Sequence, residues 1–211
     1  MIGIIDYRAG NVTSVVRALN HLGESCRISD DPMILAQSSH IIFPGVGAAG
    51  EAMANLRRTH LDKWIIEWAL AEKPILGICL GTQIIFDYSE ENDVQCLGLI
   101  PGVVKRFSAN LTHGGSDLKI PHMGWNYVEF RKTHPVFRGL PEGSEFYFVH
   151  SYYPIPAQSD LIIGITDYGT SFCAALAYKN VVAVQFHPEK SGRPGLTILS
   201  NFCRWGGQDA E

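Results

Sequence analysis

"KPILGICLGTQIIFDY", residues 73–88, joins an apolar run to a second, helix-like apolar segment through Gly77-Ile78-Cys79-Leu80-Gly81. Residues 74–78 read as a buried strand and 82–88 as the helix that follows. A chain that turns sharply from strand into helix strains its corner residue, and small residues at i−2 and i+2 relieve the crowding. Two readings of the thiol stay open on these residues alone. Free cysteine is among the most buried residue types, so Cys79 can be core. A thiol at such a corner can also be a nucleophile, because the helix turns its free N–H groups and positive dipole end toward the sulfur. On that reading Leu80 N–H also faces an oxyanion forming beside the sulfur.

Outward from this corner, strand and helix alternate through the first half. Strands are predicted at 2–6, 25–28, 40–43 and 74–78. Helices are predicted at 12–22, with Asn11 or Thr13 as cap, at 48–70 with a break near Thr59-His60, and at 82–88. Such alternation gives a mostly parallel sheet with helices on both faces. The second half is richer in strand, at 103–107, 127–131, 145–150, 161–166, 173–179 and 181–186. Lys179-Asn180 reads as a tight turn, and 194–205 as a closing helix with Pro194 in its first turn. No repeat, linker or low-complexity tract interrupts the pattern. The prediction is one α/β domain over residues 1–211: a three-layer sandwich with a mostly parallel central sheet and additional antiparallel strands in the second half.

Composition narrows the function. The chain is 46% hydrophobic and 18% charged, with a formal net charge of −4. Nucleic-acid binding usually needs a basic face, so nucleic acid is not the expected partner. No run nears the roughly 18 apolar residues of a membrane span. The opening MIGIIDYRAG lacks a basic n-region and reads as a first strand and not a signal peptide. Five cysteines, an odd number with no CxxC pair, suggest neither a zinc site nor a disulfide framework. The eight histidines lack ligand spacing as well. Neither metal nor cofactor is expected, and reduced thiols in a cytoplasmic protein are the simplest reading.

A nucleophilic thiol needs a base. His187, in "VVAVQFHPEKS", follows a predicted strand, at the end of a parallel sheet where sites gather. Glu189 lies two residues on and can accept the other imidazole N–H. By itself the pair also reads as a turn histidine beside a surface glutamate. Pro44-Gly45-Val46-Gly47 closes the strand "HIIF". Its glycines allow backbone N–H groups to face a ligand, and equally suit a plain β-turn.

Together "GICLGTQ", "QFHPEKS" and "PGVG" resemble the triad-type, or class I, glutamine amidotransferases. "IGIIDYRAGNVTSV", "PHMGWN" and "YFVHSYY" resemble the branch of that family that serves histidine biosynthesis. The resemblance spans nearly the whole chain in order. It implies that Cys79 attacks the side-chain amide of glutamine, that His187 moves the proton, and that Glu189 orients His187. It implies an oxyanion hole from Leu80 and from the Gly45-Val46 stretch, and glutamine held near Gly47, Gln83, Ser151 and Tyr152. It implies a heterodimer with a (β/α)8-barrel cyclase that takes up the ammonia to make imidazole glycerol phosphate and an aminoimidazole carboxamide ribotide. Trp125, Tyr147 and Lys190 match positions that face the barrel; the plain readings are a core tryptophan, a strand aromatic and a solvated charge. A glutaminase feeding another acceptor, such as an amino-sugar synthase, would share the same chemistry. The Arg193-Pro194 stretch and the C-terminal tail match nothing in that pattern.

Overall fold

The computed structural model describes residues 1–8 and 12–208. The first half runs β1 (Ile2–Ile5), α1 (Val12–His21), β2 (Cys26–Ser29), α2 (Pro32–Leu35), β3 (His40–Phe43), α3 (Ala49–Arg58), α4 (Leu61–Leu70), β4 (Ile75–Ile78) and α5 (Leu80–Ile84). The second half adds β5 (Tyr88–Ser89), β6 (Val94–Gln95), β7 (Gly102–Arg106), β8 (Thr112–His113), β9 (Ser116–Asp117), β10 (His122–Tyr127), β11 (Glu129–Phe130), β12 (Glu145–His150) and β13 (Tyr152–Pro156). β14 (Ile162–Asp167), β15 (Ser171–Tyr178), β16 (Val181–Val184) and α6 (Gly192–Arg204) close the chain.

Eight strands form one sheet in the order β11-β14-β15-β16-β4-β3-β1-β2. From β2 to β16 every pairing is parallel, and the remaining three are antiparallel. Alternate strand residues point to opposite faces. Ile4, Ile42, Leu76, Ile78 and Val184 pack with Val15 and Leu19 of α1 and Ile198, Leu199 and Phe202 of α6. Ile5, Ile41, Phe43, Ile75 and Ala183 pack with Ala52, Met53 and Leu56 of α3 and Ile65 and Trp68 of α4. Two cores on one sheet give the expected three layers. Each fully buried branched side chain contributes about 1.5–3 kcal/mol of transfer free energy.

Several boundaries differ from expectation, each for a local reason. The helix after Cys79 begins at Leu80 and stops at Ile84, short of Tyr88. The returning segment claims its last carbonyls: Leu97 N–H donates to Ile84, and Leu99 and Ile100 N–H to Ile85. β10 and β13 were not expected. Gly124 interrupts the apolar pattern of β10, and β13 carries Pro154 and Pro156, which an edge strand tolerates. β13 is such an edge, paired only with β7. The last strand ends at Val184, so Gln185 and Phe186 separate it from His187. Thr13 lies inside α1, and Asn11, the other candidate cap, is outside the described residues.

The glycines flanking Cys79 answer to different neighbours, and not to each other. A Cβ at Gly81 would overlap the Phe43 carbonyl at the end of β3, while one at Gly77 would lie 3.2 Å from the Thr82 backbone and from Ala183 Cβ. The helix can press onto the sheet end only because both are bare. Gly81→Ala therefore lowers stability by about 1–3 kcal/mol, the usual cost of overpacking. The urea midpoint measures this, and an unchanged midpoint contradicts it.

Candidate active site

Cys79 sits at the corner with φ 52° and ψ −105°, a region that residues with a side chain rarely occupy. Two bonds to one acceptor hold it there: Cys79 N–H donates to the Val184 carbonyl at 2.9 Å, and Thr82 Oγ1 to the same oxygen at 2.6 Å. The side chain is 5% exposed and opens onto a cavity of about 280 Å³. Val46, Gly47 and Leu80 form one wall of that cavity, Val149, His150, Ser151 and Tyr152 another, and Gln83, Glu91 and Pro121 complete it. A larger open groove of about 1000 Å³ over residues 127–143 contains none of the expected site residues.

His187 and Glu189 come from the turn after β16, which is clamped to β12. His187 N–H donates to the Tyr147 carbonyl at 2.9 Å, Tyr147 N–H to Ser191 Oγ at 3.0 Å, and Ser191 Oγ to the His187 carbonyl at 2.6 Å. α6 packs onto the same turn, with bare Gly195 against the Pro188 carbonyl. His187 Nδ1 meets Glu189 Oε1 at 2.8 Å, with both side chains buried. The carboxylate can only accept, so Nδ1 carries the proton and Nε2 is left for chemistry. Among the described residues Nε2 is buried with no hydrogen-bond partner. Burial alone pushes the imidazolium down, but Cys79 on one side and Glu189 on the other more than reverse this, leaving His187 raised above its ordinary value. Cys79 thus acts on the ring electrostatically, although no hydrogen bond of standard geometry joins them.

The Pro44–Gly47 stretch is not a free turn. Tyr7, fully buried, donates from its hydroxyl to the Pro44 carbonyl at 2.6 Å, and a Cβ at Gly45 would overlap that hydroxyl. The Gly45 carbonyl accepts Leu80 N–H at 3.3 Å. In this structure Leu80 N–H therefore does not face the sulfur as a free donor, contrary to expectation. Gly47 has φ 115°, a conformation suited to glycine.

Residues 3–205 match the glutamine amidotransferase class-I family. The imidazole glycerol phosphate synthase subunit HisH of Nitratidesulfovibrio vulgaris is 51% identical over 203 residues, covering 96% of this chain and 95% of its own. The subunit of the same name from Dehalococcoides mccartyi is 45% identical over 205 residues, covering 97% of each chain. The chain belongs to the class I glutamine amidotransferases. The fold is also similar to that of PurLQS from Thermotoga maritima, with TM-score 0.73 and 17% identity over 96% of this chain and 97% of that one. Among the described residues no helix is long and apolar enough to cross a membrane.

Against that family pattern, the structure brings Cys79, His187 and Glu189 together, with Gly47, Gln83, Ser151 and Tyr152 around one cavity. It also gathers Trp125, Tyr147 and Lys190. Trp125 lies opposite Tyr147 across β10 and β12, the two rings 6.2 Å apart, and Lys190 Nζ sits 5.7 Å from the Tyr147 ring. Trp125 is 55% exposed, which removes its reading as core. Met123 and Tyr127 are exposed beside it on the same strand.

Several residues in or beside this cavity were not singled out from sequence. Glu91 sits in the charged run "EEND", which looks like surface, yet it lines the cavity and accepts Ala49 N–H at 2.8 Å. His122 and His150 lie in quoted motifs but meet only through the β10–β12 register. Asn126 Nδ2 donates to His122 Nε2 at 3.2 Å, His122 Nδ1 faces His150 Nε2 at 3.0 Å, and His150 Nδ1 faces the Tyr152 carbonyl at 2.8 Å. The terminal carbonyl can only accept, so both rings donate through Nδ1.

Both rings stay neutral inside the protein, burial pushing His122 down to about 4 and His150 down to about 3. Unfolded, each takes up a proton near pH 6.5, as free histidine does. The unfolded chain then binds more protons than the folded one, so stability falls as pH falls. His187 has the opposite sign: its contribution is complete below about pH 6.5 and is lost only as pH rises through its raised value. The urea midpoint therefore drops between pH 7 and pH 5, and a midpoint that is flat or rising across that interval contradicts this account.

Proposed function

We propose that residues 1–211 act as one amidotransferase domain that hydrolyses glutamine to glutamate and ammonia through a Cys79 thioester. The ammonia passes to a (β/α)8-barrel cyclase partner that makes imidazole glycerol phosphate and aminoimidazole carboxamide ribotide. The observation that carries this reading is the strained Cys79 corner, which opens onto a cavity of small-ligand size and is coupled electrostatically to the buried His187–Glu189 pair. Relatives about half identical over nearly the full chain are named as imidazole glycerol phosphate synthase subunits, which supports the choice of acceptor. Five free cysteines support a reducing, cytoplasmic setting.

Cys79 yields its thiol proton to His187 Nε2, its Sγ attacks the side-chain amide carbon of glutamine, and the carbonyl oxygen takes the negative charge. His187, holding the proton on Nε2, delivers it to the departing nitrogen, so ammonia leaves and the thioester remains. Water then loses a proton to His187 as it attacks the thioester, and sulfur departs with the electron pair. Glu189 fixes the ring through both steps. Glu91, the carboxylate of the cavity wall, pairs with the α-ammonium of glutamine. Gly47, Gln83, Ser151 and Tyr152 surround the rest.

The oxyanion hole consists of Leu80 N–H and an N–H from the Gly45-Val46 stretch. At rest the Gly45 carbonyl occupies the first of these donors. Reorientation of that glycine-flanked stretch frees Leu80 N–H and turns a second N–H inward. Trp125, Tyr147 and Lys190 form the partner face, and Tyr147 shares its backbone with the His187 clamp, so docking bears directly on the site.

In the complex, Cys79→Ala abolishes ammonia release from glutamine yet still supports synthesis from added ammonium salt. His187→Ala lowers turnover by roughly 10²–10⁴-fold, and Glu189→Ala by less. Glutaminase activity that survives Cys79→Ala overturns the assignment. Glu91→Gln raises the KM for glutamine by about tenfold with kcat changed less, as loss of ground-state binding requires. An unchanged KM removes the ammonium contact.

A further inference from the structure

One polar side chain beside the sulfur has no part in the scheme above. Gln185, two residues before His187, is fully buried, and its Nε2 lies 3.6 Å from Cys79 Sγ. We infer that Gln185 is a further catalytic residue: it donates a hydrogen bond to the sulfur of Cys79 and favours the thiolate, with its amide locked in the donating orientation by Gln83 and the Tyr152 carbonyl. This rests on the reading of Cys79 as the nucleophile.

A buried amide can in principle face either way, because its oxygen and nitrogen have nearly the same shape. Here the neighbours decide. The Tyr152 carbonyl accepts and never donates, so the Gln83 atom 2.8 Å from it is Nε2. The second proton of that nitrogen points at a Gln185 atom 3.1 Å away, which must accept and is therefore Oε1. Nε2 of Gln185 is then the end turned toward the sulfur. Rotating Gln83 would set its oxygen against the Tyr152 carbonyl, and rotating Gln185 would set two NH2 groups face to face. His150 Nδ1 donates to the same Tyr152 carbonyl at 2.8 Å, which reinforces its role as the fixed acceptor.

The sulfur is thus placed between opposing influences. The Val149 carbonyl, 3.9 Å away, can only accept and so favours the protonated thiol. The Gln185 amide donates and favours the thiolate, as any hydrogen bond to a charged form does. Imidazolium at His187 adds to the donor side. The other titratable groups near the sulfur are Tyr7, from the loop after β1, and Glu91 and His150, from the cavity walls. Leu80 N–H is bonded to Gly45 and cannot contribute at rest. Gln185 is the neutral donor in contact with the sulfur before substrate arrives.

The test is the rate of Cys79 alkylation by iodoacetamide against pH, in the full chain, read peptide by peptide. Cys173 is as buried as Cys79 but does not line the cavity, so it stays protected while the chain is folded and serves as the internal control. In the parent, Cys79 reacts faster at pH 7 than Cys26 or Cys203. Gln185→Met keeps an unbranched side chain without a donor; its profile midpoint rises by about one pH unit, with about tenfold slower alkylation at pH 7. Gln185→Glu keeps the shape but adds a like charge, so its shift is larger. Profiles unchanged in both variants, or a larger shift for Met than for Glu, overturn the role of Gln185 and leave the nucleophile standing. A parent Cys79 no faster than the other thiols overturns the nucleophile reading itself. Without any substitution, the Gln185 side-chain NH2 signal in a ¹⁵N-labelled parent moves over the same pH range as Cys79 alkylation; a signal indifferent to that range also overturns the proposal.

Discussion

The backbone at Cys79 is held where a side-chain-bearing residue does not go of its own accord, and the rest of the site depends on that constraint. Positive φ at such a residue costs on the order of 1–3 kcal/mol and persists only when the surroundings over-determine it. Here they do. The Val184 carbonyl takes both the Cys79 N–H and the Thr82 hydroxyl, and Gly81 lies flat against the end of β3. The parallel run β3-β4-β16, buried on both faces, supplies the rigidity. The corner then leaves the sulfur between two chain segments that emerge from the neighbouring strands, Pro44–Gly47 after β3 and Gln185–Glu189 after β16. Under the proposed function, the first segment brings an oxyanion donor to join Leu80 N–H, and the second brings the base, its orienter and the amide donor.

The same geometry explains how the site can be assembled and still idle. Attack on an amide develops charge on oxygen, and stabilising that charge is usually the largest single contribution to such catalysis. In this structure Leu80 N–H, the donor proposed for it, is bonded to the Gly45 carbonyl. Tyr7 pins the preceding carbonyl, so rearrangement is confined to the glycine-flanked stretch beyond it. An idle site has chemical sense: ammonia released without an acceptor protonates to ammonium, which is not a nucleophile. Half-buried Tyr147, beside exposed Trp125 and half-buried Lys190, is joined to His187 by one backbone hydrogen bond, through the Tyr147 carbonyl.

The parallel half of the fold was legible because its strands are short apolar runs separated by amphipathic helices, and the break at Thr59-His60 falls where α3 gives way to α4. The second half was less so. β10 alternates exposed Met123, Trp125 and Tyr127 with a glycine, and β13 carries two prolines, so neither looks like a strand without its partner. Cys79, His187 and Glu189 could be singled out because a motif carries each of them. Glu91 could not, since a carboxylate in a polar loop has no periodicity to betray it. The His122–His150 pair and the Gln83–Gln185 contact arise from strand register and from the juxtaposition of α5 with the end of β16. No local spacing encodes either. The state of Leu80 N–H was invisible for the same reason, because it depends on which way one peptide faces across two segments.

The central claim is that this chain has its nucleophile in place but lacks a free oxyanion donor until a partner docks. The most direct measurement is steady-state ammonia release from glutamine by the chain alone and by the chain with the proposed barrel cyclase and its nucleotide bound. Gaining a donor is worth on the order of 10²–10³ in rate, so turnover rises by at least that factor in the full complex. Equal turnover by the isolated chain would contradict the account.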